Sequence, residues 1–411
     1  MNDRSVPDSV TARSAPLTGE FWYLPMDVVR FGPRSLDRLP EEVARIGGAR
    51  VFVITVPELS RGPIAARVAD LLGDRLVGVF DGVRAHVPYP VVMEAASAAR
   101  AAEADLLVSL GGGSAIDTTR AVALAIGEGA DSIEALEMFR ARYDPASGTS
   151  LPATHGRALP HVAIPTTLAA AEFANAGAVT SLTRRVKDLL ITDEITPRVV
   201  IHDAEVGLTT PVDLWVSTGM RSLDHAIETV YSPRHQPVTD VLSLESIRRL
   251  SLALPAARRD PTDLAARADG YMGAWLSYFG EMNLSLGLSH AIGHQLGPKG
   301  GVPHGVTSCI ILPQVMRFLA PATADRQRLI ADALGVDTRG LDDAAAAEAA
   351  ARGVEALVAE LGQPSRLSQV GVGRETFGEI AQGVLQDLVI AGSPIRIESA
   401  AQVTSILEAA S

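Results

Sequence analysis

The sequence predicts two halves of different class: an α/β half built on a parallel sheet, followed by an all-α half. Three observations carry this. Short β-branched runs such as RVFVITV (50–56) and HVAIPTT (161–167) alternate with amphipathic stretches over the first two hundred residues. That is the pattern of strands covered on both faces by crossover helices. From about Pro211 onward only helical periodicity remains, as in VDLWVSTGMRSLDHAIETVY (212–231). Between the third strand and its helix lies a glycine-rich turn, SLGGGS (109–114).

Taken in order, FWYLPMDVVRFG (21–32) reads as a strand or hairpin and LDRLPEEVARIG (36–47) as the helix after it. RVFVITV is a buried strand, GPIAARVADLLG (62–73) a helix and RLVGVFDGV (75–83) a second strand. VVMEAASAARAAEA (91–104) is helical, and DLLVSLGGGS (105–114) is a third strand with its turn. Residues 140–160, rich in Pro, Gly, Ser and Thr, read as a loop. HVAIPTT, AGAVTSL (176–182) and RVVIHD (198–203) are further strands, RVVIHD the last convincing one. Beyond it come helices, among them DVLSLESIRRLSLALPAAR (240–258), one long stretch over 263–297 and an ordinary Ala-rich surface helix over 341–362. No internal repeat is present. This divides the chain into a disordered N-terminus (1–20), a nucleotide-binding α/β domain (21–207) and a helical catalytic or substrate domain (208–411).

The net charge of −12 argues against nucleic acid and against an anionic membrane surface as partners. Cys309 is the single cysteine and has no internal partner, so a reducing cytoplasm is expected. No apolar run approaches a membrane span, and residues 1–19 lack a basic-then-apolar signal pattern.

Gly111, Gly112, Gly113 and Ser114 follow a strand and open a helix. Glycines let backbone approach a pyrophosphate, and a helix N-terminus offers free N–H groups and a positive dipole. The alternative is a plain tight strand–helix turn. Pro165, Thr166 and Thr167 end the next core strand and bring two hydroxyls to the carboxyl edge of the sheet, where α/β proteins bind ligands.

The stretch LSHAIGHQLGPKGGVPHG (288–305) holds His290, His294 and His304. His290 and His294 share a helix face; Gly297, Pro298, Gly300 and Gly301 then break the helix, and His304 returns after a turn. Such a trio surrounds a metal or a reacting oxygen on three sides. The plainer alternative is two helix histidines held by their neighbours and one loop histidine. His225 lies upstream in the helical segment GMRSLDHAIE (219–228).

This set, in this order, resembles the iron-containing alcohol dehydrogenase superfamily, and within it the maleylacetate reductase branch, over roughly residues 22–405. The resemblance implies a dehydroquinate-synthase-like arrangement: a Rossmann-like α/β domain, a helical domain, and the active site between them. It implies hydride transfer between NAD(H) or NADP(H) and a carbonyl or alcohol. Gly111, Gly112, Gly113, Ser114 and Asp117 match the superfamily's GGGSxxDxxK, with Arg120 in place of Lys. IPTTLAAAEF (164–173) matches the branch's PTTYAGSE in length and at Glu172, but is more apolar at Leu168, Ala170 and Ala171. After the first α/β strand, Ile54-Thr55-Val56-Pro57 lacks the acid that binds a ribose 2′-hydroxyl; Arg61 is placed for a 2′-phosphate, and NADH stays open because the branch lacks the acid too. Metal-using members bind iron or zinc through an Asp, a His four residues on and two further His. His225, His290 and His304 match, but the Asp position is Arg221. A guanidinium cannot ligate a cation, so metal is not expected; if present it would be held by His225, His290 and His304. Arg221 then supplies the missing positive charge, or else points outward to Asp224 or Glu228. His294 is the candidate proton-transfer residue, and Lys187 matches a lysine of the branch and either holds an anionic substrate group or is a plain solvated lysine. The expected substrate is a small oxo acid, and the expected assembly a homodimer. Two alternatives stand beside this: a tailoring dehydrogenase oxidising the C-terminal Thr of a ribosomal peptide in daptide-type maturation, and a non-catalytic scaffold of the same fold.

Overall fold

The computed structural model describes residues 19–144, 148–284 and 286–411. The expectation of disorder over residues 1–20 falls outside these, except for Gly19 and Glu20; the Glu20 carbonyl accepts a hydrogen bond from Gln236 Nε2 at 3.0 Å.

Ten strands are formed by the described residues: β1 (Val28–Phe31), β2 (Val51–Thr55), β3 (Leu76–Phe80), β4 (Leu106–Gly111), β5 (Arg142–Asp144), β6 (Gly148–Ser150), β7 (His161–Pro165), β8 (Ala176–Ser181), β9 (Val186–Ile191) and β10 (Val199–His202). Six of them make one parallel sheet in the order β1-β10-β7-β4-β2-β3. Strands β2, β4 and β7 are buried at every residue, as their unbroken apolar runs require. The chain leaves β2 toward β3 and returns to β4 on the other side, so the strand order reverses between β2 and β4. At such a reversal the connections diverge and leave a crevice at the carboxyl ends. Register then sets Gly111 directly beside Pro165 on that edge.

Sequence expectations need correction at several elements. The 140–160 segment is not wholly loop: β5 and β6 pair antiparallel within it, and the backbone N–H groups of His155 and Gly156 both donate to Glu128 Oε1 at 2.8 Å. Strand β9 is absent from the sequence reading; it pairs with β8 as an antiparallel hairpin and carries Lys187 opposite Thr180. The long helical stretch 263–297 is three helices, Leu264–Ser277, Phe279–Leu284 and Leu288–Gly300.

The helical half packs around the Val212–Val230 and His304–Ala333 helices. Its core includes Leu223, Ile227, Ile311, Leu312 and Val315 and reaches the end of the sheet through Ala163, Leu168 and Val200. Contrary to the sequence expectation, the His304–Ala333 helix is long and apolar enough to cross a membrane. Here it is a core helix: its Ile310–Pro313 stretch is buried and it packs on the Asp343–Glu360 and Val212–Val230 helices.

Candidate active site

At the carboxyl edge of the sheet the glycine turn meets the end of β7. Gly111 has φ of +150°, and a Cβ on Gly112 would sit 2.9 Å from the Thr167 side chain. Only glycine leaves the space between these two segments open. Thr166 N–H donates to the Gly111 carbonyl at 3.0 Å, and Thr210 Oγ1 donates to the Thr166 carbonyl at 2.5 Å, fixing the β7 end. Helix Gly113–Gly127 begins at the turn and carries Ser114 and Asp117, both partly exposed. The sequence-predicted cofactor residues are therefore brought together. Arg120 is not with them: its side chain is fully buried, 3.3 Å from Asp117, and donates to the carbonyls of Ala176 and Ala171. It ties helix to hairpin, and its charge is not offered to a phosphate.

From β7 the chain runs straight into the second cluster. Leu168 N–H donates to Thr218 Oγ1 at 3.1 Å, and Ser222 Oγ donates to the Leu168 carbonyl. Both partners lie on helix Val212–Val230, which buries Arg221, Asp224, His225 and Glu228. Arg221 points inward, not outward. Its side chain is 5% exposed, and Nη1 lies 3.9 Å from Asp224 Oδ2 and 3.5 Å from Ser308 Oγ. A Cβ built on Gly293 would come within 3.5 Å of the same nitrogen, so the guanidinium lies against the helix that bears His290 and His294.

That helix, Leu288–Gly300, runs through Gly297 and Pro298 and ends at the left-handed Gly301, later than the sequence suggests. Its start is held by Glu228, whose two oxygens accept from Gly287 N–H and Ser289 N–H at 2.7 Å each. Glu228 Oε2 also lies 2.7 Å from His290 Nδ1. Asp224 Oδ2 accepts from Ser289 Oγ at 2.8 Å and Ser308 Oγ at 2.7 Å. The rings of His225 and His290 stack at 4.8 Å, and Tyr278 meets His225 edge-on at 5.4 Å. His304 is the first residue of its helix and not a loop residue. Its neighbour Gly305 is obligatory, since a Cβ there would fall 2.5 Å from the Ser217 carbonyl oxygen. The His304 ring stacks on His294 at 5.6 Å, nearly parallel.

Burial, and after it the Arg221 charge, holds His225, His290 and His304 well below the usual imidazole range. All three are neutral near pH 7. Lys187 also acts on His304, and on His86, whose ring is pushed down by burial and by that lysine. His290 Nε2 is buried and has no hydrogen-bond partner among the described residues. A buried nitrogen left open in this way is what an incoming oxygen would meet.

Asp224, Glu228 and His290 bring ligand-type atoms within 4.8 Å of one another. Most of those atoms are already engaged. Glu228 takes two backbone N–H groups and His290, and Asp224 Oδ2 takes two hydroxyls. The two acids form a hydrogen-bonded brace behind the histidines.

Residues 27–204 match the sequence model described as iron-containing alcohol dehydrogenase, and residues 215–411 match that of the Fe-containing alcohol dehydrogenase family, C-terminal. A maleylacetate reductase of Pseudomonas aeruginosa is 31% identical over 359 residues, 87% of this chain and 89% of that protein. A lactaldehyde reductase of Escherichia coli K12 is 31% identical over 369 residues, 89% and 93% of the two chains. The chain belongs to the iron-containing alcohol dehydrogenase family. A crystal structure of 1,3-propanediol oxidoreductase superposes with a TM-score of 0.88 at 27% identity, covering 95% of this chain and 100% of the other. The fold is thus the dehydroquinate-synthase-like one, and the chain is an oxidoreductase placed with the maleylacetate reductase branch.

Within this alcohol dehydrogenase fold, the sequence points to Arg221, His225, His290, His294 and His304, and the structure clusters them. Lys187 comes to His304 from the β8–β9 hairpin as an electrostatic neighbour. Sequence reasoning misses Ser289 and Ser308, and names Asp224 and Glu228 only as partners of an outward Arg221, whereas these four side chains hold the cluster from behind. The i, i+3 and i, i+4 offsets of Asp224 and Glu228 from Arg221 and Asp224 are the available signal. It also misses His86 and Asp387. His86 lies against Gly297, whose Cβ would be 3.4 Å from its Cε1, and Asp387 Oδ2 lies 3.0 Å from His294 Nδ1.

Proposed function

We propose that this chain transfers hydride between a nicotinamide dinucleotide and the carbonyl of a small oxo acid, without a metal. The observation that carries the reading is Arg221, buried with its guanidinium among the histidines at the position the family resemblance gives to a ligand aspartate. The residues present do not fit iron or zinc: a fixed cation stands where a carboxylate ligand would be needed, and Asp224 is already its counter-ion.

They do fit a dinucleotide. The gap at Gly112 that a Cβ would fill lies between the glycine turn and Thr167, beside a helix N-terminus suited to a pyrophosphate. When bound, the dinucleotide supplies or accepts the hydride. Gly111–Ser114, Asp117, Thr166 and Thr167 are its proposed contacts. The choice between NAD(H) and NADP(H) rests on the end of β2, where Thr55 Oγ1 is spent on the Leu110 carbonyl at 2.8 Å and the exposed Arg61 is near in sequence.

Arg221 stabilises negative charge on the substrate oxygen as the hydride moves. The Nε2 of His290 accepts or donates at the same oxygen, and His294 exchanges the proton with it. Lys187 holds a substrate carboxylate on the hairpin side. The homodimer is part of the proposal; the open edge strand β1, with Phe31 60% exposed, supports it. A cytoplasmic setting is proposed from the single buried cysteine. No observation here favours the peptide-tailoring or scaffold alternatives.

The test is oxidation of NADH and of NADPH by the purified protein with maleylacetate and with lactaldehyde as probes, alongside elemental analysis. Turnover of maleylacetate without bound iron or zinc is expected. Activity that vanishes on chelation and returns with one metal per chain would overturn the reading.

A further inference from the structure

We propose that Asp387 is the positioning residue for His294, fixing the tautomer in which Nε2 exchanges the substrate proton. This rests on the reading of His294 as the proton-transfer residue. Asp387 lies ninety-odd residues downstream, at the start of the short 3-10 helix Leu388–Gly392. Its Oδ2 is 3.0 Å from His294 Nδ1, and its Oδ1 accepts from Val389 N–H at 3.1 Å. Gln295 Nε2 approaches Oδ2 at 3.5 Å. The two side chains are 13% and 10% exposed, so the contact is largely shielded from water.

An ionised carboxylate only accepts hydrogen bonds. Nδ1 of His294 must therefore carry the proton, and the lone pair falls on Nε2. The carboxylate holds the ring by its edge, while His304 holds it by its face, with ring planes 8° apart. A ring fixed at both edge and face presents Nε2 in one direction. In alcohol oxidation a bound nicotinamide would take the hydride of the C–H bond. The O–H bond also breaks; its electron pair completes the C=O bond, and its proton goes to Nε2. The imidazolium that forms is stabilised by Asp387 and passes the proton to water. Reduction runs the same steps backward. The carboxylate touches neither substrate nor cofactor and acts only through the histidine, the arrangement that gives histidine bases their orientation elsewhere.

The test uses the full chain labelled with ¹⁵N-histidine, together with Asp387→Asn, Asp387→Glu and His294→Phe. In the parent, His294 is expected as the Nδ1–H tautomer. In Asp387→Asn the spectrum should move toward Nε2–H, and kcat with maleylacetate or lactaldehyde and NADH should fall about a hundredfold or more, with NADH affinity within twofold. The asparagine oxygen still caps Val389, so a cap-only role would leave both readouts unmoved. Asp387→Glu should keep the tautomer and recover part of kcat. An Nε2–H tautomer in the parent overturns the proposal, whatever the variants do. Parent-like kcat in Asp387→Asn, with His294→Phe inactive, overturns it and leaves His294 as the proton-transfer residue. Parent-like kcat in His294→Phe overturns the reading beneath it as well.

Discussion

Arg221 Nη1 and Asp224 Oδ2 stand 3.9 Å apart, one helical turn from each other, with both side chains shut away from water. Neither charge is placed for its own sake: removing the cation would strand a carboxylate in the interior. Arg221→Met should therefore cost stability as well as activity, by about 3–5 kcal/mol for the broken buried pair. Arg221→Met/Asp224→Asn removes both charges and should recover most of the fold. Its kcat should still lie about a hundredfold below the parent, the loss of about 3 kcal/mol of charge stabilisation in the transition state. Thermal unfolding and steady-state kinetics of the single and double variants separate the two effects. A stable double variant with parental kcat would make Arg221 a structural residue only.

Much of this architecture is legible in the amino-acid sequence. Strands buried on both faces leave continuous apolar runs, so β2, β4 and β7 are plain, and the glycine turn marks their ligand edge. The histidines stand out because so few residue types do their chemistry. What stays hidden has physical causes. Strand β9, in RRVKDLLI, is half exposed and lies outside the main sheet, paired with β8 and bridged at Leu190 to Arg140, so its apolar pattern is weak. Pro298 and the glycines are poor helix formers, so the sequence ends the His290 helix too early; its C-terminus is instead completed by Gly301 N–H donating to the Gly297 carbonyl at 2.9 Å. Asp387 and Glu228 are ordinary acids in ordinary helical sequence. Only the fold brings Asp387 to His294 across 93 residues and Glu228 to His290 across 62. The orientation of Arg221 is likewise open in sequence, because an arginine one turn from Asp224 pairs with it whether it faces in or out.

Gly112 and Thr167 share a space with no room for a side chain. Gly112→Ala adds a Cβ 2.9 Å from Thr167 and must push that segment away from the turn. Affinity for NADH or NADPH, measured by calorimetry, should fall at least about tenfold, roughly 1.4 kcal/mol. The unfolding temperature should move little, because Gly112 is at φ −81° and partly exposed. Unchanged affinity for both dinucleotides in a folded variant would put the cofactor elsewhere.

Far from the site, Glu42 offers a clean pH signature. Its side chain is fully buried between Arg45 Nε at 2.7 Å and Arg30 Nε at 2.7 Å. Burial alone would raise the carboxyl, but the hydrogen bonds and charges of Arg45 and Arg30 outweigh it and hold Glu42 below its usual 4.5. The folded state therefore binds this proton less readily than the unfolded chain. The stabilisation is complete above the unfolded value and is lost as pH falls through the folded one. Glu42→Gln should cost about 1–3 kcal/mol at pH 7, the lower figure reflecting arginines that remain about a third exposed. That gap should shrink steadily below pH 4.5. Thermal unfolding of parent and variant across the acid range is the check, and a gap that stays constant would contradict it.

Arg221→Asp exchanges the buried guanidinium of the cluster for a carboxylate, beside His225, His290 and His304. Those three imidazoles are neutral, as ligation requires, because burial and then Arg221 hold them well below their usual range. With the guanidinium gone, the new carboxylate joins Asp224 and Glu228, which burial already pushes up to about 6 and about 8, in a buried acidic set that has lost its nearest counter-charge. The metal-free variant should accordingly be less stable than the parent by several kcal/mol, as for any uncompensated buried charge. A divalent zinc ion would supply that charge and take the carboxylate and imidazoles as a tetrahedral set. Binding to the folded state alone raises stability in proportion to the logarithm of ligand excess. Thermal unfolding with added zinc, and again with chelator, should thus show a zinc-dependent rise in the variant and none in the parent. Elemental analysis after gel filtration should find about one zinc per variant chain. If the variant ignored zinc, the three histidines would not converge on a common point, and their resemblance to a metal set would be one of sequence alone. If the parent itself responded with a stoichiometric metal, Arg221 would not be standing in for one.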